Sequence, residues 1–411
     1  MRRRRQLSPP LACLIGSSFA IPLGSFSVLP FLSIYLHDRL HLGLGLVGLI
    51  LAVATFVQFA GGLGGSFIAG RAGLKKTMLT ALGVRTAGFA LLVPSMETAW
   101  LALPALLCIA AGSALYLPAN KGYVVSEVPE ADRPRMLGYT YSATNAGTAL
   151  GPLASGLFIL ADPAAVFGCV AVLFALVFVA HAIVLPTEVG GREAPAEIRL
   201  RTRSLLSPPV ITTISAIYVY MYFQNYLGVY IALRHSPEFY SALLLINGLL
   251  VVFAQPATSS RISAMPYPWA IAAAFGAFAL GLLALQGDQP LLLLLGTLAI
   301  TWGEIVIFLK NDLEMLKKYP DQPTLAFGHA RLAAGIGAFF SGVLGGQLYG
   351  RLVGQDGSGS FWILVAVQAL LLGGICALFV LRVDRVGART FGGVSGAVPT
   401  LAPSHTVPQG D

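Results

Sequence analysis

LVGLILAVATFVQFAGGLGGSFIAGRAGLKKTMLTALGVRTAGFALLV, residues 46–93, holds two apolar runs, Leu46–Ile68 and Met78–Val93, joined by a turn that carries Arg71, Lys75 and Lys76. A bilayer core about 30 Å thick is crossed by about 20 apolar residues at ~1.5 Å each, so this stretch reads as a membrane hairpin. The same alternation continues on both sides of it and predicts twelve spans, from Leu11–Leu36 to Phe361–Leu381. Composition agrees: 56% hydrophobic and 11% charged residues over 411 positions, with a mean hydropathy of +0.77, is too apolar for a water-soluble domain. The expected fold class is an all-α membrane protein.

Lys and Arg are retained on the cytoplasmic side of short loops. With the N-terminus inside, Arg2 to Arg5, Arg71, Lys75, Lys76, Arg133, Arg135, Arg192, Arg199, Arg201, Arg203, Arg261, Lys317, Lys318, Arg382, Arg385 and Arg389 fall on that side. The opposite loops keep Arg39, Arg234 and Arg351. Both termini are therefore expected in the cytoplasm, in a prokaryotic-type plasma membrane. This bias and anionic lipid headgroups account for the net charge of +8, and no nucleic-acid partner is expected. The start MRRRRQLSPPLACLIGSSFA has the basic flank of a signal peptide, but its apolar run is too long for one and reads as a retained first helix. Cys13, Cys108, Cys169 and Cys376 lie in apolar spans without metal-ligand spacing and read as small buried hydrophobes.

The longest polar interruption, 186–208, divides the chain into bundles of six helices at 1–185 and 209–385, and a Gly- and Pro-rich tail, 386–411, is expected to be disordered. The halves look related. At an offset of 191, Gly112, Asn120, Pro129 and Gly151 fall on Gly303, Asn311, Pro320 and Gly342; at 195, Leu32, Tyr35 and Arg39 fall on Leu227, Tyr230 and Arg234. Parallel repeats of this kind are a recurring transporter plan, with the substrate held between the halves near mid-membrane.

The turn GGSFIAGRAGLKKTM, residues 64–78, has glycines that permit a tight turn and cations placed to meet helix ends. A basic topogenic loop is the plainer reading of it. In the fifth span, NAGTALGPLASG puts Gly147, Gly151 and Gly156 at near-helical spacing with Pro152 among them, a packing seam that a kink suits for rocking. The first stretch resembles the loop signature of the major facilitator superfamily at Arg71, Gly73, Lys75 and Lys76, with Gly65 beside its first glycine position. Gly70 stands where the pattern has Asp, which puts the family's charge relay in doubt. The second resembles that superfamily's antiporter motif. Val28-Leu29-Pro30, the run from Pro118 into the fifth span and TWGE at 301–304 extend the resemblance over roughly Leu11–Arg385, best with the twelve-helix drug:proton antiporters. The resemblance implies two pseudo-symmetric six-helix bundles and export in exchange for protons.

Ionisable groups inside hydrocarbon are functional candidates. Glu304 lies five residues before the end of the tenth span, Leu291–Leu309, and is either a proton carrier or the partner of a cation that joins two helices. Arg85, in the third span, must pair with a carboxylate, a carbonyl or an anion, in a structural role or at the substrate. Lys121 sits where it can snorkel or, with Arg85, line the substrate cavity, and His181 and His329 are expected at the interface. The seventh span, YVYMYFQNYLGVY, aligns Tyr218, Tyr222 and Tyr226 beside Gln224 and Asn225; with Gln58 and Asn145 these are candidates for the lining of a substrate cavity. An interfacial tyrosine belt is the bland alternative for the outer rings.

The sequence has no nucleophile constellation, nucleotide-binding loop or metal cluster, so neither an enzyme nor a cofactor is expected. The reading is a monomeric secondary transporter exporting a small amphipathic compound against proton entry. The rivals are an importer of an anionic or zwitterionic nutrient and a transport-inactive sensor or scaffold.

Overall fold

A computed structural model describes residues 7–32, 35–42, 44–155, 158, 162–186, 206–232, 234–352 and 360–392. Arg2 to Arg5, most of the 186–208 linker with Arg192, Arg199, Arg201 and Arg203, Gly156 and the tail from 393 lie outside them. Among the described residues twelve long helices follow one another: α1 Pro9–Phe26, α2 Leu44–Ala72, α3 Leu74–Leu92, α4 Ala102–Ser126, α5 Arg133–Ser155 and α6 Pro163–Val184, then α7 Pro208–Ala232, α8 Pro237–Ala264, α9 Tyr267–Ala284, α10 Pro290–Lys318, α11 Pro323–Leu352 and α12 Ser360–Gly392. Ten are apolar and long enough to cross a bilayer by themselves. The other two, α5 and α7, are more polar because protein surrounds them: α5 packs on α1 and α8, α7 on α10, α11 and α12. Large apolar side chains such as Phe56, Ile183, Phe253 and Ile375 point outward, as a lipid-facing surface requires.

Several boundaries differ from the sequence reading. The first span stops at Phe26 and continues as short turns, because Pro30 donates no backbone hydrogen bond and Ser27 Oγ bonds back to Leu23 O at 2.9 Å. Gly64, Gly65 and Gly70 lie inside α2, and the turn into α3 is made at Gly73, whose φ of 90° suits glycine. α10 runs on from Leu309 to Lys318, since its polar end residues find buried partners. α12 reaches Gly392, into the stretch expected to be disordered.

Two apolar cores form, one within α1–α6 and one centred on α7–α12. Their construction repeats. Between α3 and α4, a Cβ on Gly88 would stand 2.8 Å from Ile109 Cγ1 and 2.9 Å from Ala105 O; between α9 and α10, a Cβ on Gly281 would stand 2.6 Å from Ile300 Cγ1 and 2.7 Å from Gly296 O. Residues 105 and 109 fall on 296 and 300 at the offset already found for Asn120 and Asn311. The halves join through α2 on α11 and α5 on α8, the exchange expected of two repeats about a twofold axis.

The α5 seam lies against α1. A Cβ on Gly147 would collide with Phe19 O, and one on Gly151 would stand 2.7 Å from Leu23 O; Ser155 Oγ donates to Ser27 O at 2.6 Å. Since backbone cannot yield as a side chain does, Gly147→Ala is expected to destabilise the protein by about 1–3 kcal/mol. Thermal unfolding in detergent checks this; an unchanged midpoint would show the seam to be loose.

Candidate functional site

The end of the bundle that carries the basic loops is bridged by charge. Lys121 on α4 reaches Asp312 on α10 with Nζ to Oδ2 at 2.5 Å. Tyr141 on α5 donates to the same oxygen at 2.7 Å and accepts from Lys121 at 3.1 Å. The ammonium also lies over the ring of Phe327 on α11, 5.3 Å from its centre. Asp312 is buried, and Lys121 is 23% exposed. Lys121 therefore does not snorkel; it is held inward by a carboxylate of the other half. Ser142 Oγ donates to Val252 O at 2.9 Å and extends the closure along α5 and α8.

Glu304 lies deeper in α10, roughly 20 Å along the helix from its end at Lys318 rather than near the end. It is buried, and its carboxylate accepts from Tyr220 on α7 and, at 3.4 Å, from Asn247 Nδ2 on α8. Asn247 also donates to Thr301 Oγ1 at 2.7 Å, and Gln224 donates to the Tyr220 oxygen. Among the described residues no cation stands within ion-pair distance of Glu304.

In the first half, Arg85 is 3% exposed. Its Nη2 donates to Ser25 Oγ at 2.5 Å, its guanidinium lies 4.5 Å from the centre of the Phe174 ring, and Nε has no partner. Beside it runs a neutral chain. Asn120 Nδ2 donates to Tyr116 Oη at 3.0 Å, and Tyr116 donates to His181 Nε2 at 3.0 Å, since Nδ1 must carry the proton to meet Val177 O at 2.9 Å. His181 is fully buried, and His329 is buried and stacked on Tyr319; each spends Nδ1 on a carbonyl of its own helix and sets its ring beside a tyrosine.

The other candidates separate. Tyr218, Tyr222 and Tyr226 turn into the second bundle: Tyr218 donates to Gln368 Oε1 at 2.6 Å and shares a 2.8 Å bond with Tyr222, while Tyr226 stacks on Tyr349 at 5.1 Å. A crevice of about 440 Å³ beside Tyr218 opens between α7, α11 and α12, among the outward-facing Phe340, Leu371 and Ile375. Gln224 lies on the opposite face with Tyr220, Asn225 is exposed, and Gln58 is half-buried on α2. Asn145 donates to Tyr141 O, one turn back on its own helix. In the loop motif, Lys75 caps the end of α6 through Ala182 O at 2.9 Å and Leu185 O at 2.5 Å, while Arg71 and Lys76 are exposed; Gly65 lets α2 approach α4, where a Cβ would stand 2.6 Å from Ala114 O.

Sequence reasoning missed Asp312, Tyr141, Tyr220, Asn247 and Arg331. Asp312 had a signal: the offset that sets Asn120 on Asn311 sets Lys121 on Asp312. Asn247 and Arg331 were polar positions inside predicted spans, and Tyr220 shares a helix face with Gln224.

The family description "Major Facilitator Superfamily" matches residues 14–309. A putative uncharacterised MFS-type transporter of Mycobacterium tuberculosis is 31% identical over 188 residues, 44% of this chain and 43% of that protein. The multidrug resistance protein MdtH of Shigella boydii is 30% identical over 173 residues, 42% of this chain and 43% of that protein. The matched part thus spans less than half the length of these curated relatives. Among solved structures, the human organic anion transporter MFSD10 (TETRAN) superposes with a TM-score of 0.75 at 15% identity, over 90% of this chain and 99% of that one. FucP in the outward conformation gives 0.71 at 16%, over 90% and 98%. These likenesses give the fold, that of a multi-pass membrane protein. From the matched residues and the shared twelve-helix architecture, the chain belongs to the major facilitator superfamily.

Proposed function

We propose that the protein exports a small amphipathic compound across the plasma membrane in exchange for protons, by alternating access, with Glu304 as the proton carrier and both termini in the cytoplasm. The observation that supports this most is the setting of Glu304: a buried mid-helix carboxylate held by a hydroxyl and an amide, with no cation among the described residues to fix its charge. A carboxyl group with neutral partners can change protonation state without breaking an ion pair. Export is supported by the α5 seam, which resembles the antiporter motif, and by the similarity to MdtH.

The test is flux in membrane vesicles with and without an imposed pH gradient, using a fluorescent amphipathic cation, an amphipathic acid and a set of antibiotics. Gradient-dependent movement toward the exterior is expected for at least one compound; gradient-driven uptake alone would reverse the direction assigned here. The second reading, uptake of an anionic nutrient, is favoured by one observation: Arg85 has no carboxylate partner among the described residues.

A further inference from the structure

The crevice of about 440 Å³ between α7, α11 and α12 holds polar side chains that the fold does not require. The repeat supplies the comparison. A Cβ on Gly147 of α5 would meet Phe19 O and Leu23 N of α1, and a Cβ on Gly337 of α11 would meet Ile214 O and Tyr218 N of α7. Tyr35 packs edge-on against Phe167 of α6 at 5.0 Å, and Tyr230 against Trp362 of α12 at 5.4 Å. The offset of 195 thus carries α1 onto α7 and α6 onto α12. It sets Ala20, Leu23 and Leu173 where the crevice has Ser215, Tyr218 and Gln368. In the first half Leu173 lies against α1, with Cδ2 3.1 Å from where a Cβ on Gly24 would stand. Apolar side chains serve that seam, so packing alone does not call for a hydroxyl, a phenol and an amide in its counterpart.

These groups bond to one another and leave donors over. Tyr218 spends its hydrogen on Gln368 Oε1 at 2.6 Å, so the 2.8 Å bond between Tyr218 and Tyr222 is donated by Tyr222. The two hydrogens on Gln368 Nε2 have no acceptor among the described residues. Ser215 is buried and accepts from Cys376 Sγ at 3.6 Å, and its own hydrogen likewise has no acceptor among them. Gln368 lies roughly 12 Å along α12 from its start and Tyr218 roughly 15 Å along α7, which places both in the hydrocarbon rather than in a headgroup layer. No water is at hand there to take up a spare N–H. The rim is apolar, with Phe340, Leu371 and Ile375 exposed on the outer surface, and among the described residues no charged side chain lines the crevice. Spare donors at that depth call for an oxygen from outside the chain, and an uncharged lining calls for a neutral molecule to bring it.

We propose that this crevice binds a small uncharged amphiphile drawn from the bilayer, a compound with an apolar body and a carbonyl-type oxygen that accepts from the donors of Gln368 and Ser215. Its volume falls within the range of small-molecule sites, about 300–1,000 Å³, and its make-up is theirs as well: apolar walls with a few polar groups that fix orientation. The rim admits the ligand sideways from lipid, where such a compound concentrates. The site belongs to the second half alone and is separate from the Glu304 network, since Tyr220 and Gln224 lie on the opposite face of α7 from Tyr218. It therefore stands whatever the direction or coupling of transport.

The experiment irradiates the full chain in phosphatidylcholine nanodiscs with benzophenone, an uncharged diaryl ketone that inserts into nearby C–H bonds, and maps the labelled peptides by mass spectrometry. Saturable labelling of α11 around Phe340 and of α12 around Leu371 and Ile375 is expected. Two planar competitors, 9-fluorenone and fluorene, differ in the carbonyl alone. At equal mole fraction in the bilayer the ketone should compete about threefold to tenfold better, the worth of one hydrogen bond. Ser215→Ala combined with Gln368→Leu copies the first half and should abolish that preference. Ile375→Trp, at a position exposed to lipid where folding is not at stake, should fill the mouth and abolish saturable labelling. Labelling that does not saturate or spreads evenly over the lipid-facing helices would overturn the site, as would saturable labelling unchanged in monodisperse Ile375→Trp. Equal competition by fluorene and 9-fluorenone, or a preference that survives the double substitution, would overturn the role of the donors.

Discussion

Glu304→Gln is expected to reduce flux driven by a pH gradient to the level of empty proteoliposomes while leaving substrate exchange at equal pH intact. Glutamine keeps the length of the side chain and a carbonyl oxygen to accept from Tyr220 and Asn247, so the α7–α8–α10 contact persists and insertion is unaffected. What it removes is the only thing that a proton can bind at that point. Exchange needs the protein to change face with cargo bound, which a permanently neutral residue 304 permits. Net movement against a gradient needs the return step to be tied to proton release, which it forbids. The two assays therefore split in the mutant. Undiminished gradient-driven flux would remove Glu304 from coupling, and loss of both activities in a well-folded protein would make it a substrate ligand.

Asp312→Asn is expected to open the end of the bundle that carries the basic loops. Removing one member of a buried ion pair leaves the other charge without compensation, at about 3 kcal/mol, or roughly a hundredfold in the ratio of closed to open forms. Lys121 keeps Tyr141 and the Phe327 ring, so the lower part of the usual range is appropriate. Spin labels at Ala131 and Lys317, both exposed near this end, should report a longer distance in the variant than in the native protein. The exchanged pair Lys121→Asp with Asp312→Lys should bring the short distance back, since the attraction is the same with the signs reversed. An unchanged distance in Asp312→Asn would mean that the α2–α11 and α5–α8 seams close this end without help from charge.

Hydropathy read along the chain was enough for twelve helices and their grouping in two halves, because lipid rewards every apolar turn in the same way wherever it lies. It failed where a helix changed solvent. The stretch after Leu309 is polar by composition, yet Lys310, Asn311 and Asp312 are buried, since Ser263 O, Tyr267 and Lys121 meet them. Mean hydropathy registers their polarity and not their partners, so a span read from it ends at Leu309 and excludes Asp312. The seventh helix misled for a related reason. Tyr218, Tyr222 and Tyr226 form the more conspicuous stripe, but helical spacing says only which residues share a face and not what that face meets. The face that meets Glu304 carries Tyr220 and Gln224. Glu304 and Arg85 were legible as candidates because their charge has no solvent in which to hide; that Glu304 has neutral partners and Arg85 almost none required coordinates.

Lys121 and Asp312 occupy the same position in the two repeats, separated by 191 residues, and they touch. A residue that meets its own counterpart lies on the twofold axis, and in a dimer of identical subunits such a contact always sets a side chain against its twin. Exact symmetry would face ammonium against ammonium there, or carboxylate against carboxylate. Asn120 and Asn311, one step away, are identical, as the repeat requires. Opposite charges at the axis are closed to a dimer of identical chains, whereas one chain that carries both halves can set an ammonium against a carboxylate there: departure from symmetry at one residue gives the bundle a lock.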